Sequence, residues 1–277
     1  MNDREDLDRL RERIMQSPAY QLAHEDPAFL THDDLRPLRL QMEFLKPEHA
    51  LREQGIASTV VVFGSARIPA PEQAVGCGSP ADTAAASRPR PHRHAHLYDE
   101  ARRFARIVST RFQQQGRRDF VIMTGGGPGI MEAANRGAFE AGARSIGLNI
   151  TLPHEQAPNP YLTPELAFRF HYFALRKMHF LLRAKALVAF PGGYGTLDEL
   201  FEVLTLVQTG KMPRIPIVLV GRAFWQRAVD FQYLADEGFI SAQDTALFTL
   251  ADRAEEIVSA LTAFYQGRPP GTDAAPS

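Results

Sequence analysis

Residues 189–202 read AFPGGYGTLDELFE: an apolar run closes on Gly192, Gly193 and Gly195, then on Thr196 and two acids, Asp198 and Glu199. Glycines let backbone N–H groups approach a ligand with no Cβ in the way, and a helix start beyond them adds free N–H groups and partial positive charge. That arrangement suits an anion. The carboxylates need their own explanation, and the residues leave two open. Thr196 to Glu199 is a T-x-x-E capping box, with Asp198 complementing the helix dipole. In the other reading, Glu199 acts on a bound ligand. Neighbouring helical residues diverge by about 100°, so Asp198 and Glu199 do not form a working carboxylate pair.

A second cluster, TGGGPGIME, supplies Gly125, Gly126, Gly127 and Gly129, with Pro128 suited to a first helical turn. It is not a dinucleotide fingerprint: Ile130 stands where the third glycine belongs, and Asn149 where the ribose-binding acid would be. No G-K-[ST] follows, which excludes a Walker loop. What survives is a phosphate or nucleoside-monophosphate cradle, set against glycines that only turn a strand into a helix. Gly64 and Ser65 end a further apolar run, STVVVFGS. In HYFALRKMHF, Arg176 and Lys177 fall near the start of a helix expected over 174–185, where cations oppose the macrodipole and an anion would offset them. Arg176, His179 and Arg183 also share helical spacing, as a solvated basic face would.

The elements that carry these residues alternate. Strands are expected at 60–63, 120–124, 144–150, 167–173, 186–190 and 215–221, with helices at 97–115, 130–142, 174–185 and 197–210 and a helical region at the end. Continuous apolar strands separated by helices and short glycine turns predict an α/β fold, a Rossmann-like doubly wound parallel sheet with helices on both faces. In such sheets ligands sit beyond the carboxyl ends of the strands, where all three glycine clusters fall. Residues 1–55 read as a helical N-terminal arm broken by Pro18, Pro27, Pro37 and Pro47, and 56–277 as the main domain. Within it, 69–96 is a low-complexity insertion containing His92, His94 and His96. H-x-H-x-H can chelate a metal, but in a low-complexity loop rich in Pro and Arg it is not taken as a metal site.

Composition bounds the function. The 277 residues carry a formal net charge of −1, which gives no reason to expect a nucleic-acid partner. Cys77 is the single cysteine, so there is neither an intramolecular disulfide nor a cysteine zinc cage. No apolar run reaches membrane-spanning length and the charged amino terminus has no signal-peptide core, so a soluble cytoplasmic protein is expected.

Arg176-Lys177 followed by PGGYGTLDE resembles the paired signature of the LOG ("lonely guy") family, an R-K dipeptide and then P-G-G-x-G-T-x-x-E. Pro191, Gly192, Gly193, Gly195, Thr196 and Glu199 complete the second motif, and the resemblance runs from about Val60 to Val220 through GSAR and GGGPGIMEAA. It implies a nucleoside 5′-monophosphate phosphoribohydrolase, which hydrolyses the N-glycosidic bond of AMP-like or cytokinin nucleotides. Arg176 and Glu199 would be catalytic. Gly64, Ser65, Gly125, Gly126, Gly127, Gly129, Lys177, Gly192, Gly193, Gly195 and Thr196 would bind substrate, and the assembly would be a homo-oligomer. The dipeptide follows YFAL rather than the M-H-E of plant-type members, and NITLPHEQAPNPY is closer to a longer bacterial branch. No metal or cofactor is called for. Glu155 and Glu132 are candidate proton donors to the leaving base. A non-catalytic nucleotide carrier is the alternative. Pyridoxal-phosphate chemistry would need a Schiff-base lysine, and Lys177 is the only lysine near the proposed site.

Overall fold

A computed structural model of the protein describes residues 3–72, 93–113, 116–152 and 157–267. Most of the insertion, with Cys77 and His92, and also Glu155, lies outside the described residues. Chain contacts divide the molecule into residues 1–46 and 47–277. In the first unit, helix α1 (Asp3–Met15) leaves Leu7, Leu10 and Ile14 exposed. Asp26 caps α2 (Pro27–Thr31) through the Phe29 N–H at 3.0 Å, with Pro27 at the first helical position. Helix α3 (Arg36–Glu53) contains Pro47 in its interior, contrary to the expectation that this proline breaks the chain into pieces. Pro47 is buried and Leu51, one turn on, is wholly inaccessible. Their burial outweighs a local penalty of about 3 kcal/mol.

The second unit is built on a seven-stranded sheet with every observed pairing parallel. Its strands are β1 (Thr59–Phe63), β2 (Val121–Thr124), β3 (Ser145–Ile150), β4 (Ala167–Phe170), β5 (Ala184–Ala189), β6 (Ile217–Val220) and β7 (Phe248–Ala251), in the order β4-β3-β2-β1-β5-β6-β7. Helices α4 (His96–Phe112), α5 (Ile130–Glu140), α6 (Phe173–Leu182), α7 (Tyr194–Gln208), α8 (Arg222–Ala228), α9 (Phe231–Asp236) and α10 (Ala254–Phe264) connect or follow them. The doubly wound architecture is the expected one. Strand β7 lies inside the region expected to be helical, a correction: Phe248–Ala251 pairs in register with Ile217–Val220 and extends the sheet.

Strand periodicity sorts the core into two layers. Val60, Val62, Ile122, Ala186, Val188 and Val218 pack against α4, α5 and α10, with Tyr98, Phe104, Ile130 and Ile257 among the buried partners. Val61, Phe63, Met123, Leu148, Leu187 and Leu219 face Leu51, Phe180, Leu200, Val203 and Trp225 from α3, α6, α7 and α8. The strand order reverses between β1 and β5, which creates a crevice at their carboxyl ends. Register brings Phe63 opposite Ala189 there, and the loops beyond are knitted by Phe190 N–H to Phe63 O at 2.8 Å and Ser65 N–H to Pro191 O at 3.0 Å. Among the described residues no helix is long and apolar enough to cross a membrane.

Candidate active site

Three loops leave the carboxyl ends of β1, β2 and β5. After β1, Ser65 O accepts the Ile130 N–H at 3.1 Å and Ser65 Oγ accepts the Arg67 N–H at 3.1 Å. The first loop thereby grips the start of α5. The loop after β2 is held from beneath. Thr124 Oγ1 accepts the Gly126 N–H at 2.9 Å and donates to Asn135 Oδ1 at 2.7 Å. Asn159 Nδ2 donates to that same oxygen at 3.0 Å and to Gly127 O at 3.1 Å, while the Asn159 N–H reaches Gly126 O at 2.9 Å. Thr124, Asn135 and Asn159 are all buried. Gly126 and Gly129 both have φ of +72°, and a Cβ at Gly129 would collide with the Ser65 carbonyl oxygen. Only glycine fits that crossing. Helix α5 begins at Ile130 after an N-cap Gly129, so Pro128 precedes the helix instead of occupying its first turn.

The loop after β5 differs. Helix α7 starts at Tyr194, earlier than expected, with Gly193 as N-cap and no side-chain cap. Thr196 N–H already donates to Gly193 O at 3.0 Å. Thr196 is therefore inside the first turn, and Glu199 lies beyond it. This overturns the capping box, and with it the dipole-complementing role of Asp198, because the first turn contains no acid. Gly193 and Gly195 face open space, whereas Gly192 is pressed against the Thr196 side chain.

Glu199 is 5% exposed. Burial pushes its carboxyl up to about 7, opposed by the charges of Lys177 and then Arg176, while Glu202 and Asp198 add to the rise. It accepts no hydrogen bond among the described residues; its nearest ionic partner is Lys177 Nζ at 4.0 Å. Lys177 also meets Asp198 at 2.8 Å and Glu202 at 3.1 Å. Burial works against the charged Lys177 amine, but hydrogen bonding to Asp198 and the charge of Glu199 leave it above its ordinary value. Arg176 Nε donates to Leu148 O at 2.7 Å, and its guanidinium lies 5.1 Å from the Phe180 ring centre. Burial lowers the Arg176 guanidinium from its usual value, and the charge of Glu199 pulls the other way. The solvated-face reading of α6 fails. His179 is buried beside Glu48, and Arg183 pairs with Glu48 at 2.5 Å.

Gly64, Ser65, Gly125, Arg176, Gly193, Gly195, Thr196 and Glu199 line one cavity of about 690 Å³. Its wall also includes Arg67, Met131, Phe173, Tyr194, Leu197 and Asp198, which the sequence reading did not assign to substrate. Gly126, Gly127, Gly129 and Gly192, expected to bind substrate, are not in that wall, and Lys177 lines an adjoining groove that shares Tyr194, Leu197 and Asp198 with it. Glu132 is not in the wall: it accepts the Tyr98 hydroxyl at 2.8 Å. Among the described residues no three His, Cys, Asp or Glu side chains are grouped to hold a metal.

A family model described as a possible lysine decarboxylase matches residues 131–261. The probable cytokinin riboside 5′-monophosphate phosphoribohydrolase LOG4 of Oryza sativa subsp. japonica is 29% identical over 145 residues, covering 51% of this chain and 62% of that protein. Cytokinin riboside 5′-monophosphate phosphoribohydrolase LOG7 of Arabidopsis thaliana is 30% identical over 149 residues, covering 52% of this chain and 67% of its own length. The chain thus spans about two thirds of the length of these relatives. Among solved structures, the Moco carrier protein from Chlamydomonas reinhardtii is 22% identical with a TM-score of 0.46, covering 76% of this chain and 99% of that chain.

Proposed function

Since the chain belongs to the LOG family, we propose that it is a nucleoside 5′-monophosphate phosphoribohydrolase, releasing a free base and ribose 5-phosphate from AMP-like nucleotides. The observation that carries this reading is the Glu199 carboxyl: buried, 4.0 Å from its nearest ionic partner, on the wall of the cavity beside the glycine loops, and pushed up to about 7 by that burial. N-glycosidic cleavage passes through an oxocarbenium-like sugar, which an anionic carboxylate at this position stabilises. The 5′-phosphate rests on the exposed turn Gly193–Gly195, at the N-terminus of α7 where the first N–H groups have no partner within the helix, and the ribose lies between Glu199 and Arg176. Water attacks C1′ and gives its proton to Glu199 as the C–N bond breaks. The departing base needs one proton, and a carboxyl titrating near neutrality returns the one it took. Lys177, the cation nearest Glu199, keeps that carboxyl from rising further.

Decarboxylation through pyridoxal phosphate does not fit. A Schiff-base lysine needs an amine that gives up its proton readily, and Lys177 is held charged by Asp198 and Glu202. The test is incubation with AMP. Free adenine and ribose 5-phosphate support the reading; AMP that binds and stays intact makes the protein a carrier and sinks it. A homo-oligomer is the assembly proposed, to be read by sedimentation.

A further inference from the structure

Resting on the phosphoribohydrolase reading, a deeper assignment concerns the part of the substrate that neither the glycine turn nor Glu199 addresses. Phe173 is the first residue of α6, 52% exposed, and lines the cavity. One turn on stands Arg176, and a further turn on Phe180, wholly buried and edge-on to Phe63 at 4.8 Å. Helical spacing makes 173, 176 and 180 one stripe from the cavity's rim to the core. The middle member is fixed: Arg176 is tied to Leu148 O and lies over Phe180, so the sugar-facing group keeps its place relative to the ring before it.

The other large apolar groups of the wall have work elsewhere. Phe63 is buried in the core, and Leu197 packs against it. Met131 backs the loop after β2, close behind Gly125 and Gly127. Tyr194, 93% exposed, is part of the turn to which the phosphate is assigned above. Phe173 is left as a flat, accessible ring on the wall supplied by α6. With the phosphate assigned to the turn and the ribose to Glu199 and Arg176, the α6 wall is the part of the lining left for the base. We infer that Phe173 is the platform on which the nucleotide base stacks, a specificity-determining residue that admits planar heterocycles. Stacking tolerates ring substituents, because every base has a π face.

Calorimetric binding to the full chain tests this with two probes, AMP and base-free ribose 5-phosphate, in a Glu199→Gln background that prevents turnover. Adding Phe173→Ala is expected to weaken AMP about tenfold while ribose 5-phosphate stays within twofold, and Phe173→Trp to restore AMP. Equal weakening of both ligands, or no change in AMP, overturns the assignment. A drop in sedimenting mass with AMP affinity retained gives the ring to a subunit contact and likewise overturns it. If the parent protein binds no AMP, the phosphoribohydrolase reading falls first. If AMP binds and is indifferent to residue 173, only this inference falls.

Discussion

The two glycine loops at the crevice use the same residue for opposite purposes. After β2, Gly126 and Gly129 adopt left-handed φ of +72°, and buried Thr124, Asn135 and Asn159 fasten the loop from behind. After β5, Gly193 and Gly195 have normal space around them and nothing within reach of an added Cβ. One loop is a structural joint; the other leaves open space beside Gly193 and Gly195, where the proposed phosphate would lie. A glycine's value is thus read from what a side chain would strike: at Gly126 and Gly129 it would strike protein, and at Gly193 and Gly195 open space.

The sharpest division lies just past the bare loop, at Glu199. Glu199→Gln should lower kcat by about a thousandfold or more in a folded protein, following the general cost of removing a charge-stabilising group. It should also stabilise the fold. The folded-state carboxyl titrates near 7 and the unfolded one near 4.5, so the native state retains its proton longer as pH rises. Stability is therefore lost between those two values, by at most about 3 kcal/mol. The gain on substitution should be absent below pH 4.5 and complete above 7, measured as the difference in urea midpoints across pH. A variant that loses stability at pH 8 would put Glu199 back among structural residues.

Next in size is the joint. Gly129→Ala must meet the Ser65 carbonyl at a backbone angle that disfavours any side chain, and should cost about 2–4 kcal/mol in urea unfolding. Gly195→Ala, within a helical turn and facing open space, should change stability by less than about 1 kcal/mol yet weaken ribose 5-phosphate binding. If the two variants exchange phenotypes, the distinction between joint and surface is wrong. The smallest expected effect concerns Lys177. For the free enzyme, kcat/KM should rise with pH through about 7 as Glu199 ionises. Lys177→Met removes the largest influence lowering that carboxyl, so the rise should move to higher pH by less than one unit, read from the pH profile. An unmoved profile would remove Lys177 from the electrostatics of the site.

Much of this was legible before any coordinates. Apolar strands alternating with helices led to the sheet, and the R-K and P-G-G-x-G-T-x-x-E residues led to Arg176 and Glu199. What stayed hidden had local causes. Gly-Tyr-Gly-Thr is a poor helix start by propensity, so α7 reads as beginning at Leu197, and Thr196 then mimics a cap. Strand β7 is only Phe248–Ala251, too short to show a period, and is secured by its pairing with β6. Pro47 carries a breaker signal that burial overrides. The support beneath Gly126 spans Thr124, Asn135 and Asn159, and no spacing rule joins a strand end, a helix interior and a distant loop. The one available sign was a threonine directly before three glycines.

The knitting of the β1 and β5 loops bears on how the chain reaches its native state. Phe63 and Ala189 are partners separated by nearly half the sequence, and the Ser65–Pro191 bond closes only after that pairing. During synthesis β1 can join β2 early, but its other edge stays unsatisfied until β5 has been made. Such long-range parallel pairing closes slowly, and an uncovered central edge is open to association with other chains. The crevice that would hold the nucleotide is thus among the last parts to form, and a ligand that bridges its two loops would trap the completed fold.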